Sequence, residues 1–268
     1  MDTYQPYILI PIILVLVVLS FVFFNKIREI LKKSQVKTKL AKDEVESKSD
    51  YVSTLVHDLR SPLSVIKGAS DMLLSQGKEL PPEDFLKLVT QVSTTTDEIL
   101  KMVNNILDVS KIEAGKFELT KSQGDLSLIL QTEMDCYLPL AEKRGIEITT
   151  NIDPGTLKFS FDVEKVKRVL NNLMSNALKY TPDGGKITLT SRNLRKEVEI
   201  SVGDSGPGVP DEVKQRLFHK FVQGDQKHQG TGLGLLISRA IIEAHGGKIK
   251  VENNAPKGAK FIFTLPIV

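Results

Sequence analysis

A histidine with a carboxylate directly after it, His57-Asp58, stands in the segment LVHDLRSPLSVIKG. An exposed imidazole that titrates near neutral pH can act as a nucleophile toward phosphorus, and an adjacent carboxylate can fix its tautomer. Ser61-Pro62 follows one turn later, where a proline inside a helical pattern kinks the helix and frees a carbonyl. A lone exposed histidine more often has no chemical role, so these residues alone leave both interpretations open.

Polar side chains of a second kind share one face of a predicted helix in the second half of the chain. Asn172 and Asn176 are one helical turn apart, and the stripe continues to Lys179 and Tyr180. Buried amides often serve only to satisfy backbone groups. Taken alone, the pair therefore fits a structural role as well as a binding role.

Two glycine clusters favour the binding role. The segment DSGPG at 204–208 follows a predicted strand, and GTGLGL at 230–235 precedes a predicted helix. Glycines before a helix N-terminus let backbone amides approach phosphate oxygens, and the helix dipole favours the anion. The strand-end carboxylate of Asp204 can accept a hydrogen bond from an exocyclic amine such as that of adenine. Together they predict a nucleotide pocket that has neither the P-loop motif nor the Rossmann spacing.

Composition limits the class of protein. The chain has 268 residues, of which 41% are hydrophobic and 26% charged, as expected for one large or two small globular domains. Its single cysteine, Cys136, excludes an intramolecular disulfide and a zinc site made of several thiolates, and we expect it to be a small buried hydrophobe. A net charge of +3 and the absence of tryptophan argue against nucleic acid as a partner.

The N-terminus carries a long uncharged stretch. No residue from Thr3 to Asn25 is charged, and residues 7–24 are long enough to cross ~30 Å of hydrocarbon as a helix. A secretory signal would have a basic first segment, whereas Asp2 stands here. Basic residues after the stretch predict that everything downstream is cytoplasmic. We therefore expect residues 1–25 to be a single-pass inner-membrane anchor that contacts lipid through residues 7–24.

A helical pattern follows the predicted anchor. Apolar positions from Ile27 onward alternate spacings of three and four, which predicts a coiled-coil linker over residues 26–49. Polar interruptions make a solvated charged linker nearly as good an interpretation there. The pattern is firmer near Leu55, and its register turns His57 toward solvent.

A second amphipathic helix starts at Pro81-Pro82 and stops before Gly115. The two helices predict a hairpin over residues 50–117 whose apolar face lacks a third helix. We expect it to pair with a second copy into a four-helix bundle.

Residues 118–268 alternate strand-like and helical patterns, which predicts a two-layer α/β sandwich. Asp162 is placed as the cap of the helix that carries the asparagine pair. The core-facing side of that helix is predicted to comprise Val166, Leu170, Leu173, Met174 and Ala177. The predicted strands are Lys186–Ser191, Val198–Val202, Lys248–Glu252 and Lys260–Leu265, and the predicted helices are Asp162–Tyr180 and Leu235–His245.

Several segments, in this order, resemble the motifs of bacterial two-component sensor histidine kinases. HDLRSPLSVIKG is similar to their phosphoacceptor box, NNLMSNALKYTPDGG to the N box, GDSGPGVP to the first glycine box, LFHKF to the F box and GTGLGL to the second glycine box. The resemblance covers residues 50–268. It implies a dimerization and histidine phosphotransfer domain of the HisKA type, followed by a catalytic ATP-binding domain of the Bergerat type.

The resemblance also implies roles for individual residues. His57 would take the γ-phosphate of ATP, with Asp58 holding and activating its imidazole. Asn176 would ligate Mg²⁺, and Asp204 would bind adenine. The implied cofactor-binding residues are Asn172, Asn176, Lys179, Tyr180, Asp204, Gly206, Gly208, Gly230, Thr231, Gly232, Leu233 and Gly234. Among these, Gly230, Gly232 and Gly234 would hinge a lid over residues 222–229.

Three positions depart from the family pattern. Ser61 stands where members that dephosphorylate their partner often have Thr or Asn, so a phosphatase role is in doubt. Gln223 replaces a frequent arginine after the F box, and Ala259 replaces a common threonine. Without the arginine that Gln223 replaces, the positive charge beside the γ-phosphate would have to come from Lys220 or Lys227.

These observations predict an ATP-dependent, homodimeric histidine kinase that transfers its phosphoryl group from His57 to an aspartate of a response regulator. One alternative is a nucleotide-sensing membrane scaffold without phosphotransfer, and His57 in its full motif argues against it. Another alternative is an ATPase like the topoisomerases, which share the Bergerat-type ATP-binding domain. Those enzymes carry a water-activating glutamate where Asn172 stands here.

Overall fold

A computed structural model describes residues 56, 58–77, 79–153, 157–219, 232–254 and 257–267. The predicted anchor and linker, His57, the lid and two residues of the second glycine box, Gly230 and Thr231, lie outside this part of the chain. Among the described residues, no helix is both long enough and apolar enough to cross a membrane.

The first elements are two long helices. Residues 59–76 are helical (α1), and α2 spans Pro82–Glu113. The backbone N–H of Gly77 donates to the carbonyl of Leu73 at 3.0 Å, which closes the last turn of α1. The start and stop of α2 agree with the prediction, because proline at its first position loses no helical hydrogen bond and Gly115 has a φ of +64°.

The remainder of the described chain is an α/β sandwich. A five-stranded sheet has the order β2-β4-β5-β7-β6, in which β2 and β4 are parallel and the other neighbours antiparallel, while β1 and β3 form a separate antiparallel pair. A helical region followed by an α/β domain is the predicted class. The strands are β1 Ser122–Asp125, β2 Glu147–Asn151, β3 Lys158–Phe161, β4 Lys186–Asn193, β5 Glu197–Asp204, β6 Ile249–Asn253 and β7 Ala259–Pro266, and the helices are α3 Leu126–Glu142, α4 Val163–Tyr180, α5 Asp211–Lys214 and α6 Gly234–Ala244.

Helix α4 is central because it carries the asparagine pair. Asp162 caps it as predicted: its Oδ1 accepts from the Lys165 N–H at 3.0 Å, and its Oδ2 accepts from the Thr120 N–H at 2.8 Å. The side chains predicted to face the core are all buried, and Val169 joins them. Burying this stripe against the sheet fixes the rotation of α4, so its polar stripe has a defined direction.

Helix α3 and the short strands around it were not predicted individually. The carboxylate of Asp125 accepts from the Leu128 N–H at 3.3 Å and so caps α3. The inner side of α3 buries Leu130, Glu133 and Met134. Cys136 lies on the outer side and is exposed, so the prediction that it is a buried hydrophobe was wrong.

The end of α2 packs on the α/β domain. Val109 belongs to the same buried cluster as the core of the sandwich. Across this contact Arg168 forms an ion pair with Asp108, and its Nη2 donates to Asn105 Oδ1 at 2.7 Å.

His245 ends the predicted helix Leu235–His245, and in the structure it is the buried C-terminal cap of α6. Its Nε2 accepts from the Asp162 N–H at 2.9 Å, so the proton is on Nδ1, which donates to the Ile241 carbonyl at 2.8 Å. Burial lowers the pKa of the imidazole and favours this neutral form. His245 therefore joins the end of α6 to the start of α4.

Candidate functional site

Asp204 is the last residue of β5 and is buried. Its Oδ1 accepts from the backbone N–H groups of Gly206 at 2.8 Å and Ala259 at 3.1 Å. Burial raises the pKa of this carboxyl, and the two backbone hydrogen bonds oppose the rise. Because both N–H groups hold one oxygen, the orientation of the whole carboxylate is fixed.

Glycines let the chain close tightly around this carboxylate. A Cβ on Gly206 would lie 2.6 Å from the Tyr180 carbonyl oxygen, so the first glycine box touches the end of α4 directly. Gly258 has a φ of +122°, and a Cβ there would lie 1.8 Å from the Asp204 carbonyl oxygen. A side chain at Gly206 would separate this loop from the end of α4, and one at Gly258 would displace the Asp204 backbone.

Two asparagines outside the motifs hold the loop that follows Asp204. Asn253 grips the backbone of Val209 on both sides: its Oδ1 accepts from the Val209 N–H at 2.9 Å, and its Nδ2 donates to the Val209 carbonyl at 3.0 Å. Asn254 Nδ2 donates to the Asp204 carbonyl at 3.1 Å. Sequence reasoning missed both, since nothing in the pattern of β6 marks them.

The polar stripe predicted on α4 is half-buried. The Lys179 ammonium lies 5.4 Å from the centre of the Tyr180 ring, and burial lowers the pKa of Lys179. Asn172 Nδ2 donates to Ser238 Oγ on α6 at 2.9 Å. The end of α4 thus meets the first glycine box, and its middle meets the start of α6.

The described part of the second glycine box leads into α6. Gly232 has a φ of +63°, which favours glycine, and Leu233 is fully buried. Gly234 is the first residue of α6, and a Cβ there would lie 2.2 Å from Asn172 Oδ1. A Cβ at Gly234 would therefore displace the Asn172 amide from its position against α6.

Family comparisons agree with this arrangement. A model described as "His Kinase A (phospho-acceptor) domain" matches residues 47–115, and one described as "Histidine kinase-, DNA gyrase B-, and HSP90-like ATPase" matches residues 161–268. The solved catalytic domain of the histidine kinase ThkA is 35% identical, with a TM-score of 0.52, over 56% of this chain and 97% of that one. The chain belongs to the two-component sensor histidine kinases.

Other sensor histidine kinases are similar over most of the chain. Histidine protein kinase DivJ of Caulobacter vibrioides is 31% identical over 81% of this chain and 37% of its own length. The adaptive-response sensory kinase SasA of a Nostoc species is 33% identical over 89% of this chain and 62% of its own length. Full-length ShkA, solved with AMPPNP, is 30% identical with a TM-score of 0.63, over 81% of this chain and 45% of that one. This chain therefore spans less than two thirds of these proteins.

One positioning group of this histidine kinase lies outside the family motifs. Arg144, in the turn after α3, donates from Nη1 to the Leu178 carbonyl at 2.5 Å and from Nη2 to the Thr181 carbonyl at 2.8 Å. Its Nε donates to Asp183 Oδ1 at 2.8 Å. Carbonyls at a helix C-terminus lack intrahelical partners, so the guanidinium completes the end of α4. No sequence signal marked it, because its partners lie 34 to 39 residues away.

Replacing Arg144 by alanine should lower the free energy of unfolding by about 1–3 kcal/mol, since it leaves part-buried carbonyls without a donor. Thermal unfolding measures the change. Lys143→Ala removes a neighbouring exposed cation and should leave the midpoint within about one degree. Equal midpoints for the two variants would contradict the role of Arg144.

Proposed function

We propose that this chain is the kinase core of a two-component sensor, which phosphorylates itself on His57 with ATP and passes the phosphoryl group to an aspartate of a response regulator. One observation carries the proposal: a fixed, buried carboxylate, Asp204, stands beside the N-box helix in a chain whose residues 47–115 match the phosphoacceptor domain.

The proposed reaction consists of two phosphoryl transfers, first from ATP to His57 and then from His57 to the response regulator. An imidazole nitrogen of His57 forms a bond to the γ-phosphorus while the bond to the β,γ-bridging oxygen breaks, and ADP leaves. Asp58 holds the imidazole in the required tautomer and assists loss of its proton. The phosphorus–nitrogen bond then breaks as a carboxylate oxygen of the response regulator takes the phosphoryl group.

In this proposal, nucleotide recognition is divided between the two ends of the site. Asp204 accepts from the exocyclic amine of adenine, and Gly206 and Gly208 let the base approach. The buried position of Asp204 supports this, because water competes poorly there. The residues proposed to contact the phosphates or the metal shell are Asn172, Asn176, Lys179 and Tyr180. In the second glycine box, Gly230, Gly232 and Gly234 hinge the lid, and Thr231 and Leu233 are nucleotide-binding residues with them.

The proposed nucleotide-binding residues fit Mg²⁺ without a metal site made of several carboxylates. No group of three or more His, Cys, Asp or Glu side chains in the described part of the chain could hold a metal ion. Mg²⁺ is commonly bound by one or two protein oxygens together with phosphates and water, and the amide oxygen of Asn176 meets that requirement. When bound, the ion would neutralise charge on the phosphate oxygens.

Asn176→Asp should lower the autophosphorylation rate about ten- to hundred-fold, because a carboxylate changes the charge beside the phosphates. The rate is measured with labelled ATP over a range of Mg²⁺ concentrations. Asn151→Asp, at an exposed position at the end of β2, is the matched control. An unchanged rate together with unchanged nucleotide affinity would argue against Asn176 as the ligand.

We also propose a homodimer and a membrane attachment. Exposed apolar side chains on α1 and α2 support pairing of two hairpins. They include Leu63, Leu74, Leu86, Leu100 and Leu107.

A response regulator partner is supported by the solved structure of ThkA in complex with the response regulator TrrA. That structure is 29% identical to this chain, with a TM-score of 0.58. The uncharged stretch at 7–24 supports a single-pass inner-membrane anchor with a cytoplasmic catalytic part.

The proposed function is tested by incubating the protein with Mg²⁺ and ATP labelled at either the α- or the γ-phosphate. We expect label from the γ-position alone, in a form that is acid-labile and base-stable, and its passage to a receiver domain. ATP binding with no incorporated label would instead support the scaffold alternative.

A further inference from the structure

Ser238 is a buried hydroxyl on α6 that belongs to none of the recognised motifs. Its Oγ donates to the Gly234 carbonyl at 2.9 Å and accepts from Asn172 Nδ2 at 2.9 Å. A serine hydroxyl has only one hydrogen, and the Gly234 carbonyl takes it. Toward Asn172, Ser238 can therefore act only as an acceptor.

This pairing fixes which way the Asn172 amide is turned. An asparagine amide can usually exchange its oxygen and nitrogen by rotation, according to the partners that surround it. Here the NH₂ end must face Ser238, because the reverse orientation would set two acceptors against each other. The oxygen end lies against the backbone of Gly234, at the N-terminal end of α6, where a Cβ would approach it to 2.2 Å.

The fixed orientation selects among ligands. An amide oxygen is an acceptor, so it repels phosphate oxygens but accepts a hydrogen bond from a metal-bound water. A freely rotating amide could instead offer its NH₂ group to a phosphate. Asn172 thus fits the hydration shell of a metal ion rather than the phosphate itself.

We propose that Ser238 is a positioning residue that holds Asn172 with its oxygen toward the metal shell, so that Asn172 contributes to nucleotide binding only when Mg²⁺ is present. The inference rests on the proposed placement of phosphates and metal beside α4. It adds that Asn172 contacts the hydration shell of the metal rather than the phosphate, and that Ser238 is the residue that orients its amide.

The test measures ATP affinity by calorimetry with Mg²⁺ and, separately, with EDTA. We expect Ser238→Ala to weaken binding of Mg²⁺-ATP about five- to ten-fold and to change binding of metal-free ATP less than two-fold. Ser238→Cys, which keeps the size but is a poor acceptor, should behave alike. Ser201→Ala is the matched control: this serine of β5 is also buried, but its hydroxyl pairs with the Thr190 hydroxyl on β4 and contacts neither Asn172 nor α6 in any hydrogen bond of the described residues.

A double-mutant cycle with Asn172→Ala completes the test. If Ser238 acts through Asn172, Ser238→Ala has no further effect once the amide is gone. Equal weakening with and without Mg²⁺, or a persisting effect in the Asn172→Ala background, would overturn the inference while leaving the proposed function intact. Failure of Asn172→Ala itself to weaken Mg²⁺-ATP would reject the placement on which the inference rests. Absence of γ-label in the wild type would reject the kinase function separately.

Discussion

His57→Gln is expected to abolish acid-labile phosphorylation completely while ATP still binds with wild-type affinity. Glutamine offers an amide nitrogen whose lone pair is delocalised, so no nucleophile remains for the γ-phosphorus. Asn172, Asn176 and Asp204, which are proposed to bind the nucleotide, belong to α4 and β5, and the buried core that holds these elements includes no described residue of α1. Loss of the acceptor should therefore leave them undisturbed.

The measurement combines two assays on the same preparation. Label from γ-labelled ATP reports phosphotransfer, and displacement of a fluorescent ATP analogue reports binding. Asp58→Asn provides a graded comparison, in which the tautomer is less well held and the rate falls but is not lost. Label that persists on the His57→Gln protein would show that the phosphoacceptor is another residue.

Asp204→Asn should weaken ATP binding by about two orders of magnitude. The reason is that the new side-chain NH₂ group, a buried hydrogen-bond donor, would face the exocyclic amine of adenine, which is also a donor. The direction of the amide is decided by its neighbours. The backbone N–H groups of Gly206 and Ala259 both require an acceptor, so Oδ1 stays with them. The NH₂ group then replaces the other oxygen and meets the adenine amine.

The same geometry predicts a change of base preference. Inosine triphosphate carries a carbonyl where ATP carries the amine, so the Asp204→Asn protein should lose ATP affinity but gain affinity for ITP. Calorimetry with the two nucleotides measures the ratio. Asp211→Asn, an exposed carboxylate on α5 that pairs with Lys214, should leave the ratio unchanged. A parallel loss for both nucleotides would mean that Asp204 only stabilises the fold.

Local signals were sufficient for the longer elements. Asp162, Pro82 and Gly115 act through the backbone of their own helix ends, so their residue types alone placed those ends. The period of apolar residues along α4 identified its buried face in the same way. Strands β1 and β3 have four residues each, too few to show an alternation, and α3 was missed with them.

The motifs also located the site at the level of segments. Their order in the chain predicted the histidine kinase family and the two kinds of domain, as the comparisons show. Motif spacing says which residues are near a nucleotide in related proteins. It does not say which atom of each residue already has a hydrogen-bond partner within the protein. The Asn172 amide is the clearest example, because its Nδ2 already donates to Ser238 Oγ.

By itself, then, the sequence determined the family, the main helices with their caps, the strand-end position of Asp204 and the glycines at which the backbone comes close. Only the tertiary structure decided the contacts of Arg144, Asn253 and Ser238, the exposure of Cys136, and the role of Gly234 as a packing surface for Asn172. The physical reason is separation along the chain. A cap or an amphipathic stripe acts over a few residues, whereas a hydrogen bond between Asn172 and Ser238 spans 66 residues and exists only once α4 and α6 have packed together.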